Sequence, residues 1–120
     1  MAILSGGLDP LLGRALGTAD LRYRVLANNV ANAETPGFKA SRVEFEALLQ
    51  QAQAAGTDPL TVTPAVVQDT GLSLTPDGNN VDIDAQMAAL AANQLWYDAL
   101  SRSLGDQIGR LRAAISEGRR

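Results

Sequence analysis

Apolar residues recur along the first quarter of the chain at alternating steps of four and three: Leu12, Leu16, Ala19, Tyr23, Leu26, Val30 and Ala33. That spacing lays one narrow apolar seam along a helix. Asp9 followed by Pro10 supplies an N-cap acceptor and a proline at the first helical position, so the helix is predicted to start there. It is predicted to stop near Asn32 and Ala33, because Thr35 precedes a proline and is driven out of the α region. Pro36-Gly37 then suits the two central positions of a type II turn. About 24 residues at 1.5 Å each make a helix of roughly 36 Å, and its seam calls for a partner helix.

A second stripe with the same step contains Ile83, Met87, Leu90, Gln94, Tyr97, Ser101, Leu104, Ile108, Leu111 and Ile115. Asp82 or Asp84 caps its start, and the pattern runs for about 30 residues. Gln94 and Ser101 interrupt it. They either fix register, as polar seam residues do in coiled coils, or face solvent where the seam curves away. Gly105 and Gly109 each cost about 1 kcal/mol relative to alanine inside an exposed helix, so they mark close backbone packing or a weak segment. Gly118 is predicted to end the helix.

Between the stripes the pattern breaks. Residues 44–53 are rich in helix formers and are predicted as a short helix. Residues 55–80 hold Gly56, Pro59, Pro64, Gly71, Pro76 and Gly78 among β-prone stretches. Leu60–Thr63, Ala65–Asp69 and Leu72–Leu74 are the expected short strands of an extended or hairpin-like excursion, with a turn at Asp77-Gly78. The fold class is therefore mainly α, with two long terminal helices pairing as an antiparallel coiled-coil-like hairpin around a turn-rich, partly extended or β middle. The expected division is 1–33, 34–80 and 81–120, the two ends forming one coiled-coil domain.

Composition sharpens this picture. A chain of 120 residues has room for one small core, and its aromatics are one Trp, two Tyr and two Phe. Much of the apolar share is Ala, which favours close helix contact over a self-sufficient globule. The absence of Cys and His removes thiol nucleophiles, disulfides, imidazole bases and zinc sites of nitrogen or sulfur ligands. The net charge of −3 divides as +1 over 1–33, −6 over 34–84 and +2 over 85–120. Neither end is basic enough for nucleic acid. The first residues lack a charged region, a sustained apolar run and a small-residue cleavage site, so no secretory signal peptide is expected. No stretch approaches the roughly 20 apolar residues of a membrane span.

Leu26-Ala27-Asn28-Asn29-Val30-Ala31-Asn32-Ala33-Glu34-Thr35-Pro36-Gly37-Phe38-Lys39 resembles the signature near the N-terminus of the flagellar rod, hook and hook-associated axial proteins. A second string, Asp77-Gly78-Asn79-Asn80-Val81-Asp82-Ile83-Asp84, leads into Met87 and Ala92-Asn93-Gln94-Leu95-Trp96-Tyr97. It resembles the C-terminal half of the proximal-rod members of that family, as does the short length. The resemblance implies terminal helices that pair within a subunit, line the inner tube of a periplasmic rod and are largely unfolded before assembly. It implies export through the flagellar type III apparatus without a cleavable signal. The implied partners are further copies in a helical rod, other rod proteins and the basal adaptor next to the MS ring, with no cofactor, metal, nucleic acid or direct membrane span.

On this reading the subunit-packing residues are Leu12, Leu16, Ala19, Tyr23, Leu26, Asn29 and Val30 on the first helix. On the second they are Met87, Leu90, Gln94, Tyr97, Leu104, Ile108 and Leu111, and Pro36 and Gly37 form the turn. The Asn28, Asn29 and Asn32 cluster is either a set of interhelix contacts in the assembled tube or an ordinary helix end. Asp77, Asp82 and Asp84 lack the closing glutamate of a helix-loop-helix calcium site and are read as caps. Arg110, Arg112, Arg119 and Arg120 either meet an acidic face of a neighbour or complement the helix dipole. No nucleophile with a base and no phosphate loop is present, so an enzyme is not expected. The alternative function is a soluble helical adaptor or export chaperone that binds a client through its paired helices and stays a discrete dimer.

Overall fold

The computed structural model describes residues 9–71 and 73–118. In chain order these form helix α1 (Pro10–Ala31), strand β1 (Ser41–Glu44), helix α2 (Glu46–Ala54), a single 3₁₀ turn (Pro59–Thr61), strand β2 (Ala65–Gln68) and helix α3 (Ile83–Gly118). The whole is long and thin, 70 × 30 × 15 Å.

Both ends of α1 follow from local chemistry. Asp9 Oδ1 accepts from Leu11 N at 2.9 Å, and Pro10 occupies the position whose N–H has no helical acceptor. Past Ala31 the chain winds through overlapping turns to Pro36-Gly37. There Phe38 N donates to Thr35 O at 3.2 Å and Gly37 takes φ 73°, the type II geometry that favours glycine.

Asp82 caps α3, its Oδ1 accepting from Ala85 N at 3.2 Å. The 36 residues of α3 give a length of about 54 Å. The helix passes Gly105 and Gly109 without interruption, and a Cβ at either would meet nothing within 4 Å in the described chain. It lies antiparallel to α1. Three side-chain bonds mark the crossing: Asp9 N to Gln107 Oε1 at 2.8 Å, Asn93 Nδ2 to Ala19 O at 2.9 Å, and Asn29 Nδ2 to Gln86 Oε1 at 3.0 Å. Since Asp9 meets Gln107, residues 108–118 of α3 run past the start of α1.

The middle differs in detail from the expected excursion. β2 pairs not within residues 55–80 but with β1, antiparallel, with Ser41 opposite Gln68, Val43 opposite Val66 and Glu44 opposite Ala65. From Arg42 the segment before α2 alternates, with Val43 and Phe45 buried, Glu44 half-buried between them and Arg42 exposed, which is strand patterning. Leu60–Thr63 is no strand: Asp58 Oδ1 accepts from Leu60 N at 3.0 Å and Pro59 opens a 3₁₀ turn instead. Of Leu72–Leu74, Leu72 lies outside the described residues, and Ser73 and Leu74 join no ladder. The apolar core is thin and runs from Leu12, Ala19 and Leu26 to Ala40, Val43, Phe45, Ala52, Val81 and Leu100.

Candidate functional site

The inner face of α3 is phased one residue away from half of the expected seam. Leu90 and Leu104 are half-buried on the face toward α1, and Leu111, on the same face but past the start of α1, is half-buried as well. The other column that faces α1 is Gln86, Asn93, Leu100 and Gln107, of which Asn93 and Leu100 are buried. Met87, Gln94, Ser101 and Ile108, each one residue further on, are exposed. The amides of Gln86, Asn93 and Gln107 supply the three bonds to α1 described above, so this column is a ladder of polar rungs broken by Leu100. A search weighted to apolar residues prefers Met87 and Ile108 to Gln86 and Gln107, which explains the difference. On α1, Leu12, Ala19, Leu26 and Asn29 are buried, Leu16 and Val30 are half-buried, and Tyr23 is 53% exposed.

The two strings that carried the family resemblance meet at the end of the helix pair. Asn79 is 1% exposed. Its Nδ2 donates to Asn32 O at 2.9 Å and Thr35 O at 2.8 Å, giving each of these turn carbonyls a second donor beside the backbone N–H groups of Thr35 and Phe38. Its Oδ1 accepts from Val81 N at 2.7 Å. Beside it, Asn80 Oδ1 accepts from Ala40 N at 2.7 Å and Asn80 Nδ2 donates to Asp69 O at 2.9 Å. Asn29 completes the junction from α1: Oδ1 accepts from Ser41 N at 3.0 Å and Nδ2 donates to Ser41 O at 2.7 Å. The amide thus bonds Ser41 as a neighbouring strand would. Its oxygen and nitrogen are both engaged inside the subunit, at 0% exposure, so the packing it performs here is internal. Asn32, by contrast, bonds locally to Asn28 O at 2.8 Å.

Turn geometry holds the strings in register. Gly37 N donates to Asp77 O at 2.9 Å, Asn80 N to Phe38 O at 3.2 Å, and Lys39 Nζ to Ser73 Oγ at 2.8 Å and to Gly78 O. Gly78 has φ 88°, and a Cβ built on it would stand 3.5 Å from Gly37 Cα. The Thr75 hydroxyl and the Asn79 backbone N–H both donate to the Asp77 carboxylate and hold it below its ordinary pKa, against an opposing effect of burial. Arg22 clamps α1 to the middle segment, donating to both Glu46 oxygens at 3.2 and 2.9 Å and to Val43 O at 3.1 Å. Burial acts to raise the Glu46 pKa, but the Arg22 hydrogen bonds and charge, with backbone amides, outweigh it and leave the carboxyl below its usual value.

The helix pair leaves much apolar surface outside. Ile83, Met87, Leu95, Trp96, Tyr97, Ile108 and Ile115 of α3 are all more than a third exposed. By the 3.6-residue period, Ile83, Met87 and Ile108 share a flank of α3 with Tyr97, while Ala92 and Trp96 lie on the other. A shallow groove opens on each side: Ala19, Asp20, Tyr23, Asn93, Gln94 and Tyr97 line one, and Arg22, Glu46, Ala89, Ala92, Asn93 and Trp96 the other. Asn93 reaches both, and its Oδ1 is buried without a partner among the described residues. Leu95 and Trp96, at 71% and 49% exposure, are surface features that a seam search passes over because they lie off its columns. Among the described residues there is no cluster of metal-binding groups and no helix long and apolar enough to cross a membrane.

Comparison with known proteins bears directly on this arrangement. A family model described as flagella basal body rod protein matches residues 12–39, most of α1 and the turn after it. The chain is 34% identical to the flagellar basal body rod protein FlgB of Bacillus subtilis (strain 168), over 99% of its own length and 100% of the relative. Against the protein of the same name from Borrelia hermsii it is 38% identical, covering 72% of this chain and 79% of the relative. Against that of Escherichia coli (strain K12) the identity is 30%, over 87% and 89%.

Proposed function

The chain belongs to the flagellar basal body rod proteins of the FlgB type, and from that premise we propose that it works by assembling helically, with copies of itself and with other rod proteins, through the outer surfaces of its helix pair. The observation that carries this reading is the apolar surface of α3, exposed on both flanks of a helix whose inner face is already occupied by α1. A helix with one satisfied face and two bare flanks is suited to contacting a neighbour on each side. Such unlike surfaces, joined without closing a ring, generate a filament. The residues proposed for these contacts are Tyr23, Met87, Gln94, Tyr97 and Ile108, with Leu95 and Trp96 added. Leu12, Leu16, Ala19, Leu26, Asn29, Val30, Leu90, Leu104 and Leu111 build the subunit that presents them, and Pro36 and Gly37 turn the chain at its end.

The rod so formed would carry torque across the periplasm and leave a channel for exported subunits. The chain would itself leave the cytoplasm through the flagellar export apparatus. Its role is structural and not enzymatic. Expression in a flagellated host lacking its own rod protein of this family tests the reading. Leu95→Asp and Tyr97→Asp place charges on exposed positions, so each subunit is expected to be made and exported yet to be missing from purified basal bodies, with motility lost. Normal incorporation of both variants would refute the proposal.

A further inference from the structure

Asn93 is 6% exposed and commits its amide nitrogen to Ala19 O, while its Oδ1 is buried without a partner among the described residues. An amide oxygen so placed gains a full hydrogen bond from any donor brought to it. Asn93 lies at the bottom of the groove of 190 Å³ whose walls are the Tyr23 and Tyr97 rings. Both rings are more than a third exposed, so the walls have room to part. Asp20 and Gln94 complete the lining. One Asp20 oxygen is bonded by Arg24 at 2.8 Å, and Gln94 donates to the Asp98 carboxylate at 3.0 Å. Counted by contact, two carboxylates and one guanidinium border the groove.

A buried acceptor, tyrosine walls and a carboxylate at the rim suit a guanidinium, which stacks on aromatic rings and donates in several directions at once. The arginines closest to the groove are engaged: Arg24 by Asp20, and Arg22 by Glu46 and Val43 O. By the helical period Arg102 stands on the face of α3 opposite α1, and Arg110 lies on the far flank with Ser103, Asp106 and Ala114. Arg112 is exposed and bonds no described residue. With Ile108 and Ile115 it makes an i, i+4, i+7 row on one side of the segment of α3 that runs past the start of α1. From Tyr97 to Arg112 the helix rises about 22 Å, so Arg112 cannot reach the groove of its own subunit.

We infer that the groove between Tyr23 and Tyr97 receives Arg112 of a second copy of this chain. The guanidinium seats between the rings and bonds Asn93 Oδ1 and Asp20, while Ile108 and Ile115 cover the apolar flank around Met87 and Tyr97. Bonds from a charged donor to a desolvated acceptor are the strong kind, so this one side chain carries much of the contact. Donor and acceptor are different patches of one surface, and a contact between unlike patches extends without closing. The inference rests on the reading of helical self-assembly and specifies which patches meet.

Each variant is expressed as the sole protein of this family in the host described above, and basal-body occupancy is scored against the amount of chain made. Arg112→Glu and Asp20→Arg are each expected to lose about tenfold or more, the loss of one charged hydrogen-bonded contact. The double variant, in which the pair is reversed, recovers several-fold over either. Arg102→Glu makes the same charge change on the outer face and incorporates as wild type does. All three positions are exposed, so circular dichroism of the purified chains is expected to show wild-type helicity. Where a reversal disturbs the helix, Arg112→Gln, expected to fall likewise, decides. Normal occupancy of the Arg112 variants, an equal fall in Arg102→Glu, or a double variant no better than the singles overturns the inference alone. Absence of the wild-type chain from basal bodies overturns the rod reading and this inference with it.

Discussion

Replacing Asn79 by alanine removes one side chain that bonds three backbone groups, two in the distant turn after α1 and one two residues further along the chain. The amide gives two hydrogen bonds, to Asn32 O and Thr35 O, and accepts one, from Val81 N, at 2.9, 2.8 and 2.7 Å. Each is worth about 1 kcal/mol net, and a group left buried and unpaired costs about 1–3 kcal/mol. Asn32 O and Thr35 O keep their bonds from Thr35 N and Phe38 N, so Val81 N is the group left unpaired, and about 3 kcal/mol is the expected cost at the junction. That is roughly a hundredfold in its opening equilibrium. The assay is amide exchange at Gly37 and Asn80, whose N–H groups bond Asp77 O and Phe38 O and do not touch the Asn79 side chain. Their protection is expected to drop by about two orders of magnitude in Asn79→Ala. Asn79→Asp separates the donors from the acceptor: Oδ1 still accepts from Val81 N, but a carboxylate then faces two carbonyl oxygens. Burial and that repulsion raise the folded-state pKa of the new carboxyl, so this variant gains stability as pH falls, the opposite sign to a paired surface acid. Protection within threefold of wild type in the alanine variant, or no pH dependence in the aspartate variant, would refute the argument.

Two further outcomes follow from the seam and the clamp. Leu100→Ala empties a position 9% exposed and should destabilise the subunit by about 2–3 kcal/mol, whereas Met87→Ala, at 52% exposure, should change it by less than about 0.5 kcal/mol; denaturation followed by circular dichroism distinguishes them, and equal effects would contradict the observed phase. Glu46 has a lowered pKa in the folded chain, so what its pair with Arg22 adds is fully present above its ordinary value of 4.5 and disappears as pH falls through the lowered one. With the Glu46 side chain 60% exposed, that contribution is below about 1 kcal/mol; an acid titration of Glu46→Gln against wild type should show a difference at pH 7 that closes at low pH.

The features of the fold that could be read from residue order are those with local causes. Asp9-Pro10 starts α1 and Pro36-Gly37 turns the chain because a cap and a positive φ depend on near neighbours. Ala65–Gln68 becomes a strand as its β-branched run suggests. Its partner was hidden, because Ser41–Glu44 is short and sits beside good helix formers, and its outer edge is completed by an asparagine side chain instead of another strand. The phase of α3 was half hidden for a related reason. The column through Leu90, Leu104 and Leu111 is apolar and visible, whereas Gln86, Asn93 and Gln107 face inward on account of hydrogen bonds to residues 57 to 98 positions away. Periodicity records hydrophobicity and carries no trace of such a partner.

That contrast also divides the labour within the chain. The helix pair is held by a thin apolar line and polar rungs, among them Asn93, whose Oδ1 finds no described partner. A buried amide with one unpaired oxygen contributes little net stability, because the desolvation of the oxygen offsets the bond its nitrogen makes. The junction at Asn29, Asn79 and Asn80, with its amides bonded on both sides, is instead where the two long helices acquire a fixed relation. At the far end residues 108–118 of α3 pass the start of α1. At that end Ile108 and Ile115 of α3 are exposed. The same two strings that carried the family resemblance thus form the end at which the helix pair is fixed by paired amides.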